Sequence, residues 1–322
     1  MKDTEFAYAV ARIRSNEARL LSTASIETLI NSQGYTDALK ILSDLGYDNL
    51  ESVGEEKALA NVLRSAFELI YSCAPDKKCL DFLIVRNDFH NIKALIKCMV
   101  AGIDAEKLIL SPSVIDPQVI GEALQKKDYS LLPEFASETV KRAYELITTT
   151  MDGQTLEVFL DRKSIEASVI LAKQSKDEFS IALANLMCAV ADIKIALRCL
   201  KTNKDEAFIM GALADCALLD KDRLCEAVLS GEDALCAYVK NIGFDVFADS
   251  IKKGYAAFEK ACDDMLMERV KHAKYQCLGI APLVAYYFAV DAQVKTVRII
   301  LSCKKNGLNN ENIRERVRVL YV

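Results

Sequence analysis

The chain has 322 residues, 52% of them hydrophobic and 27% charged, with a formal net charge of −5. Those proportions exclude a disordered chain, and so mild a charge excludes one held along its length to nucleic acid or a membrane surface. Trp is absent and Pro numbers only 5, while Leu, Ala, Ile, Lys and Glu abound. That balance favours helices, because straight-chain residues lose little rotamer freedom there and proline breaks the backbone ladder.

At the start, Met1-Lys2-Asp3-Thr4-Glu5 carries no basic stretch followed by an apolar core, so no secretory signal is expected. The first strong helical signal is Val85, Phe89, Ile92, Ile96 and Met99, whose steps of 4, 3, 4, 3 trace one apolar stripe. Asp116-Pro117 then reads as a helix start, with Asp as the cap and Pro at the first helical position. Leu186, Val190, Ile193, Leu197 and Leu200 repeat the earlier steps. No set of segments shows strand alternation, and the predicted class is all-α.

These stretches belong to a repeat. Phe89 to Cys98 matches Val190 to Cys199, and Asp291 to Ile300 is a third copy; 101 residues separate Ile92 from Ile193, and 101 separate Ile193 from Val294. Leu20-Leu21, Ile26 and Ile30 likewise resemble Leu218-Leu219, Leu224 and Val228, and Asp37-Ala38-Leu39 with Gly46-Tyr47 resembles Asp233-Ala234-Leu235 with Gly243-Phe244. Three helical units are expected, over 1–112, 113–216 and 217–322. Units of that size are domains rather than turns of a solenoid. In the third copy, Asp291 and Arg298 stand where Phe89 and Ile96 stand in the first. Either the stripe rotates onto Val290, Val294, Val297 and Leu301, leaving the charges on the rim, or the charges point inward, which needs close partners.

Motifs that carry chemistry are few. No phosphate-binding G-x-x-x-x-G-K-[ST], dinucleotide G-x-G-x-x-G or nucleophile-elbow G-x-S-x-G is present. Eleven cysteines, none in a C-x-x-C pair, fall mostly in apolar helical stretches (Cys98, Cys188, Cys199, Cys216, Cys225 and Cys236) and read as buried free thiols in a reducing compartment. His90 and His272 are the only histidines, and neither has a cysteine at metal-ligand spacing, so no metal site, cofactor or catalytic residue is expected. Asp263-Asp264 suggests magnesium-diphosphate binding, but no second Asp-rich motif answers it, and solvated helix surface is the preferred reading. The longest apolar run, Ile280 to Val290, is shorter than the roughly 20 residues a spanning helix needs, so no membrane span is expected. From Lys295 to Arg318 the chain turns basic, with Lys295, Arg298, Lys304, Lys305, Arg314, Arg316 and Arg318 against Glu311 and Glu315. A solvated helix face is the plainer reading and a partner-binding face the sharper one.

Phe6-Ala7-Tyr8-Ala9-Val10-Ala11-Arg12-Ile13-Arg14, with Glu17 and Leu20-Leu21, resembles the opening of the C subunit of V/A-type ATPases, called d in eukaryotes. Asp88 with Asn91-Ile92-Lys93, then Leu156-Glu157 through Leu160-Asp161-Arg162, resemble that family's first and middle units. Gly279 to Tyr286, Arg298 to Leu301, Gly307-Leu308 and Ile313 to Arg318 resemble its C-terminal stretch, in order and at the expected total length. Val290 and Gln293 depart from it, standing where the family usually has Lys and Glu.

The resemblance implies three pseudo-symmetric helical domains forming a funnel, without catalysis. It implies a central-stalk part between the rotor shaft subunits of the soluble ATPase head and the rotor ring subunits in the membrane. Such a protein is cytoplasmic and reaches the membrane through the complex, and it binds no nucleic acid. Arg298, Arg314, Arg316 and Arg318 are the candidate partner-facing residues. A cytosolic helical scaffold binding other proteins is the alternative.

Overall fold

Side-chain caps mark where many of the helices begin. The Asp116 carboxylate accepts from the Gln118 amide at 2.9 Å with Pro117 next in line. Asp152, Asp177, Asp205 and Asp220 do the same for Gln154, Ser180, Phe208 and Arg223. A short acceptor at this position satisfies one of the first-turn N–H groups that have no partner inside the helix. The computed structural model describes residues 2–48 and 50–322, the side chain of Glu51 aside, and among them every regular element is a helix.

In chain order the α-helices are α1 (Ala7–Glu17), α2 (Thr23–Ile30), α3 (Tyr35–Asp44), α4 (Leu50–Val53), α5 (Glu55–Cys73), α6 (Asp81–Ala101), α7 (Pro117–Lys126), α8 (Glu134–Thr150) and α9 (Gly153–Ser175). There follow α10 (Glu178–Lys201), α11 (Glu206–Ala212), α12 (Lys221–Ser230), α13 (Glu232–Asn241), α14 (Asp245–Lys253), α15 (Tyr255–Lys271), α16 (Ala281–Lys305) and α17 (Asn310–Arg316). They form two compact units: unit 1 joins residues 1–77 to 249–322, and unit 2 is 78–248.

Unit 1 is organised around α16, which packs on α5, α1, α3, α15 and α17. Val290, Val294, Val297 and Leu301 are buried, so the stripe takes the rotated register and the two charges leave the core. Arg298 is exposed, and Asp291 is half-buried with its carboxylate 2.9 Å from Lys295. The two ends of the chain meet here. Gly279 donates its N–H to the Asp3 carbonyl at 3.2 Å, and Arg14 donates to the carbonyls of Ala273 and Gln276 at 3.0 and 2.8 Å. Gly279 has φ +83, and an added Cβ would sit 3.4 Å from the Asp3 carboxylate, so the position suits glycine on both counts.

Unit 2 is organised around α9, which packs on α6, α8, α10 and α11. Buried polar side chains pin the segments between its helices. Asp88 of α6 accepts from the Val114 and Ile115 amides at 3.1 and 2.6 Å. Asn91, one turn on, donates to the Leu110 carbonyl and accepts from its amide, at 3.0 and 2.8 Å. Asp192 of α10 accepts from Ala214 at 2.9 Å, and Ser168 of α9 donates to the Phe82 carbonyl. Burial pushes the Asp88 carboxyl up to about 6 against the pull of its two amides. His90, exposed on the same helix, has Nε2 3.0 Å from the Leu108 carbonyl, a surface contact to the same segment.

One sequence reading changes here. Cys216 is not helical: α11 ends at Ala212, and Cys216 lies half-buried in the extended stretch that follows. Helix α10 is long and apolar enough to cross a membrane by length and composition alone. Counting uninterrupted apolar runs misses it, because Asp192, Lys194 and Arg198 break the run. It packs against α9 and α12, and more than half of its apolar stretch is buried within the fold.

Candidate partner-binding residues

The four arginines all lie in unit 1, and three are engaged within it. Arg298 and Lys305 are seven residues apart on α16, two turns along one face. Arg298 grips both oxygens of Glu56 with Nε, at 3.0 and 3.1 Å, while its Nη2 lies 3.0 Å from Oε2. Lys305 reaches Glu55 at 3.3 Å and lies over the Tyr35 ring. Both glutamates occupy the first turn of α5, where a negative charge also meets the positive end of the helix dipole.

Arg314 on α17 reaches α2, with Nη2 2.9 Å from Glu27 and 2.9 Å from the Asn31 side-chain oxygen. Lys304 donates to the Ser32 carbonyl just past the end of α2, at 2.7 Å. A cation near the end of α2 also meets the negative end of its helix dipole.

Arg318 is the most enclosed of the four. Its Nε donates to Asp263 of α15 at 2.8 Å, with side chains only 12% and 14% exposed. Lys295 of α16 joins from the other side, 3.4 Å from Asp263 and 2.9 Å from Asp291. Asp264 accepts from the Val319 amide at 2.8 Å and from Lys260, which also donates to the Val317 carbonyl. The acidic pair expected on a solvated helix surface therefore fastens the segment after α17. Bonds involving an ionised group and a partly desolvated partner are the stronger kind. Neither aspartate is left to gather magnesium and diphosphate.

Arg316 stands apart. It is exposed and forms no ion pair among the described residues; only its backbone carbonyl is engaged, by Arg318 at 2.6 Å. Beside it, α2, the end of α15 and the segment from Val317 to Val322 line an open groove of about 500 Å³. Tyr275, 86% exposed, stands at its edge. The basic run is thus neither wholly solvated nor wholly presented. Asp291 apart, four residues before Lys295, the carboxylates that take it up (Glu27, Glu55, Glu56 and Asp263) lie 32 to 287 residues away in sequence, beyond the reach of local charge patterning.

Comparison with known proteins bears on what such a chain is. The family model described as the ATP synthase (C/AC39) subunit matches residues 9–316. The chain belongs to the ATP synthase (C/AC39) subunit family. It is 26% identical to the C subunit of the A-type ATP synthase of Methanocaldococcus jannaschii, covering 96% of this chain and 85% of that one. It is 20% identical to the C subunit of the V-type sodium ATPase of Enterococcus hirae (96% and 97%) and 21% identical to that of the V-type ATP synthase of Thermus thermophilus (97% and 98%).

In this C/AC39 chain the two departures noted above have a physical setting. Val290 and Gln293 are both buried, and the Gln293 side-chain oxygen lies 3.4 Å from the Tyr47 hydroxyl. Burial raises the Tyr47 phenol well above its ordinary value, so it stays a donor at neutral pH. A charged side chain at either position would need a counter-charge in the same enclosed space.

Proposed function

We propose that this chain is a non-catalytic central-stalk subunit of a V/A-type rotary ATPase. It couples the rotor shaft of the soluble head to the rotor ring in the membrane, working from the cytoplasmic side in ATP synthesis or ATP-driven proton or sodium transport. The observation that carries this reading is the family match over residues 9–316, with C subunits of V- and A-type enzymes aligned along at least 85% of their own lengths.

The three-unit reading over 1–112, 113–216 and 217–322 belongs to the same proposal. Asn91, Asp192 and Gln293 support it: they are spaced 101 residues apart. Each is a buried polar side chain midway along a long helix, holding Leu110, Ala214 and Tyr47 respectively. The repeat thus extends from the apolar stripe to the polar residue that fastens a non-helical segment.

Torque transmission needs stiffness, which close-packed helices supply, and polar surface that grips a partner without chemistry. Among the four arginines, Arg316 is the one placed to meet a partner without first breaking an internal pair. The test is co-purification of the tagged full chain with head and ring subunits from membranes. Both sets are expected with the native chain, and loss of one or both with Arg316→Glu, whose stability should be unchanged. Capture of neither set by the native chain overturns the coupling role and favours a cytosolic scaffold. Unchanged capture by Arg316→Glu removes that residue from the contact.

A further inference from the structure

Unit 2 holds a cluster that neither the family match nor the coupling role uses. Cys188 and Asp192 are one turn apart on α10 and both are buried; residues at i and i+4 share a helix face. The extended stretch after α11 brings Cys216 against them. The two sulfurs and a carboxylate oxygen all lie within 4.8 Å of one another. We propose that Cys188, Asp192 and Cys216 form a binding site for a thiophilic divalent cation, zinc being the ion that the donor set fits best.

The dimensions suit it. Zinc–sulfur bonds of about 2.3 Å and zinc–oxygen bonds of about 2.0–2.2 Å put the ligand atoms of a tetrahedron roughly 3.4–3.8 Å apart. Thiolate with carboxylate selects a borderline-soft ion over magnesium or calcium, which take oxygen ligands.

The surroundings are those of a built site. The Ala214 amide holds one oxygen of Asp192 at 2.9 Å, which fixes the carboxylate and leaves its other oxygen for the ion. The Leu218 amide points at the Cys216 sulfur, 3.5 Å away, a contact that stabilises a thiolate. Outer contacts of this kind orient metal ligands and tune their charge. Asp192 forms no ion pair among the described residues. A buried carboxylate beside two thiols, with no cation of the chain in direct contact, is costly to ionise and is relieved by a dication.

A second observation points the same way. Asn185 lies three residues before Cys188, one turn back on α10, and its backbone carbonyl is 3.8 Å from the Cys216 sulfur. Its side-chain oxygen is buried and finds no donor among the described residues. Buried polar atoms without partners are uncommon in folded proteins, and an ion or ordered water is a usual reason. The Asn185 side-chain amide itself donates to the Ile181 carbonyl at 2.9 Å, one turn further back, so the fourth tetrahedral position left by three protein ligands would be taken by a water.

Binding would release the two thiol protons to solvent with no change in oxidation state. It would also tie the segment 213–218 to the middle of α10, so the ion acts as a structural clasp.

The test uses the full chain, purified reduced and metal-free, titrated with Co²⁺ and then Zn²⁺. Expected are one Co²⁺ per chain with a sulfur-to-cobalt charge-transfer band and intense visible bands, displaced by one Zn²⁺. Cys216→Ser, at a half-buried loop position, should weaken Zn²⁺ binding more than about tenfold, and Cys188→Ser likewise. Cys277→Ser, at the exposed cysteine, should bind as the native chain does. Absence of the charge-transfer band, or a band unchanged by Cys216→Ser in a variant of native helicity, overturns the site. So does a Cys188–Cys216 disulfide that forms in air equally fast with and without Zn²⁺.

Discussion

Unit 1 and unit 2 solve the same problem, fastening together elements that are apart in sequence, with different chemistry. Unit 2 does it with buried polar side chains aimed at backbone groups: Asp88 on Val114 and Ile115, Asn91 on Leu110, Asp192 on Ala214. Unit 1 does it largely with ion pairs between elements far apart in sequence: Arg298 with Glu56, Arg314 with Glu27, Arg318 with Asp263. A buried amide lock is blind to ionic strength and sensitive to shape, whereas a half-exposed ion pair is the reverse. The amide locks of unit 2 should therefore hold across salt conditions, whereas the stitching in unit 1, like the surface pairs Lys93–Asp161 and Lys97–Glu157 of unit 2, should loosen as salt rises.

The sharpest way to separate the two is through Asp88. Its carboxyl sits at about 6 in the folded chain against an ordinary value of 3.8, with burial as the cause. The folded state therefore holds a proton that the unfolded chain gives up, and this contribution to stability is full below about 4 and lost as pH rises through 6. Asp88→Asn lacks the titration. Its deficit relative to the native chain should shrink by up to about 3 kcal/mol between pH 4 and pH 7. Paired urea melts at several pH values measure it, and a deficit that grows with pH would break the account.

Asn91→Leu comes next. Leucine nearly matches the volume but leaves the Leu110 N–H and C=O without their partner, for a loss of about 2–3 kcal/mol that 0.5 M salt should not alter. In unit 1, Arg318→Met keeps the aliphatic stem and removes the charge from a largely enclosed pair. About 2 kcal/mol should be lost at low salt, with earlier proteolysis after Arg316. The smallest effect is expected at Arg298→Ala, where Glu56 is mostly exposed: under about 1 kcal/mol, vanishing at high salt. If Arg298 proved costlier than Asn91, the contrast between the units would be wrong.

Much of unit 2 was legible in the sequence because its information is local. The 4, 3, 4, 3 steps place Val85, Phe89, Ile92, Ile96 and Met99 on one inward stripe, and the first four are buried while Met99, at its end, is half-buried. Asp116-Pro117 starts a helix as its chemistry dictates. The third stripe was legible only as a pair of alternatives, since periodicity gives the spacing of apolar residues but not which of two adjacent lines faces inward.

What could not be read is what depends on long-range proximity. Asp263 became a clasp for Arg318, 55 residues on, instead of a solvated acid. Cys216 is 28 residues from Cys188 in sequence, outside any metal-ligand spacing rule. Helix α10 escaped the search for apolar runs because isolated charges end a run without making a 24-residue helix polar. That Arg316 forms no ion pair among the described residues, beside three engaged arginines, is likewise a fact of folding, since all four look alike as letters.

The make-up of unit 1, from residues 1–77 and 249–322, has a consequence for how the protein is made. Its first half leaves the ribosome 171 residues ahead of its second, an interval on the order of ten seconds or more at ordinary synthesis rates. Throughout that time Val10, Ile13, Leu59 and Phe67, all destined for the core, have no α16 to cover them, while unit 2 is synthesised as one continuous stretch. Newly made chains should spend that interval in the care of chaperones, released only when the residues around Gly279 emerge to meet Asp3.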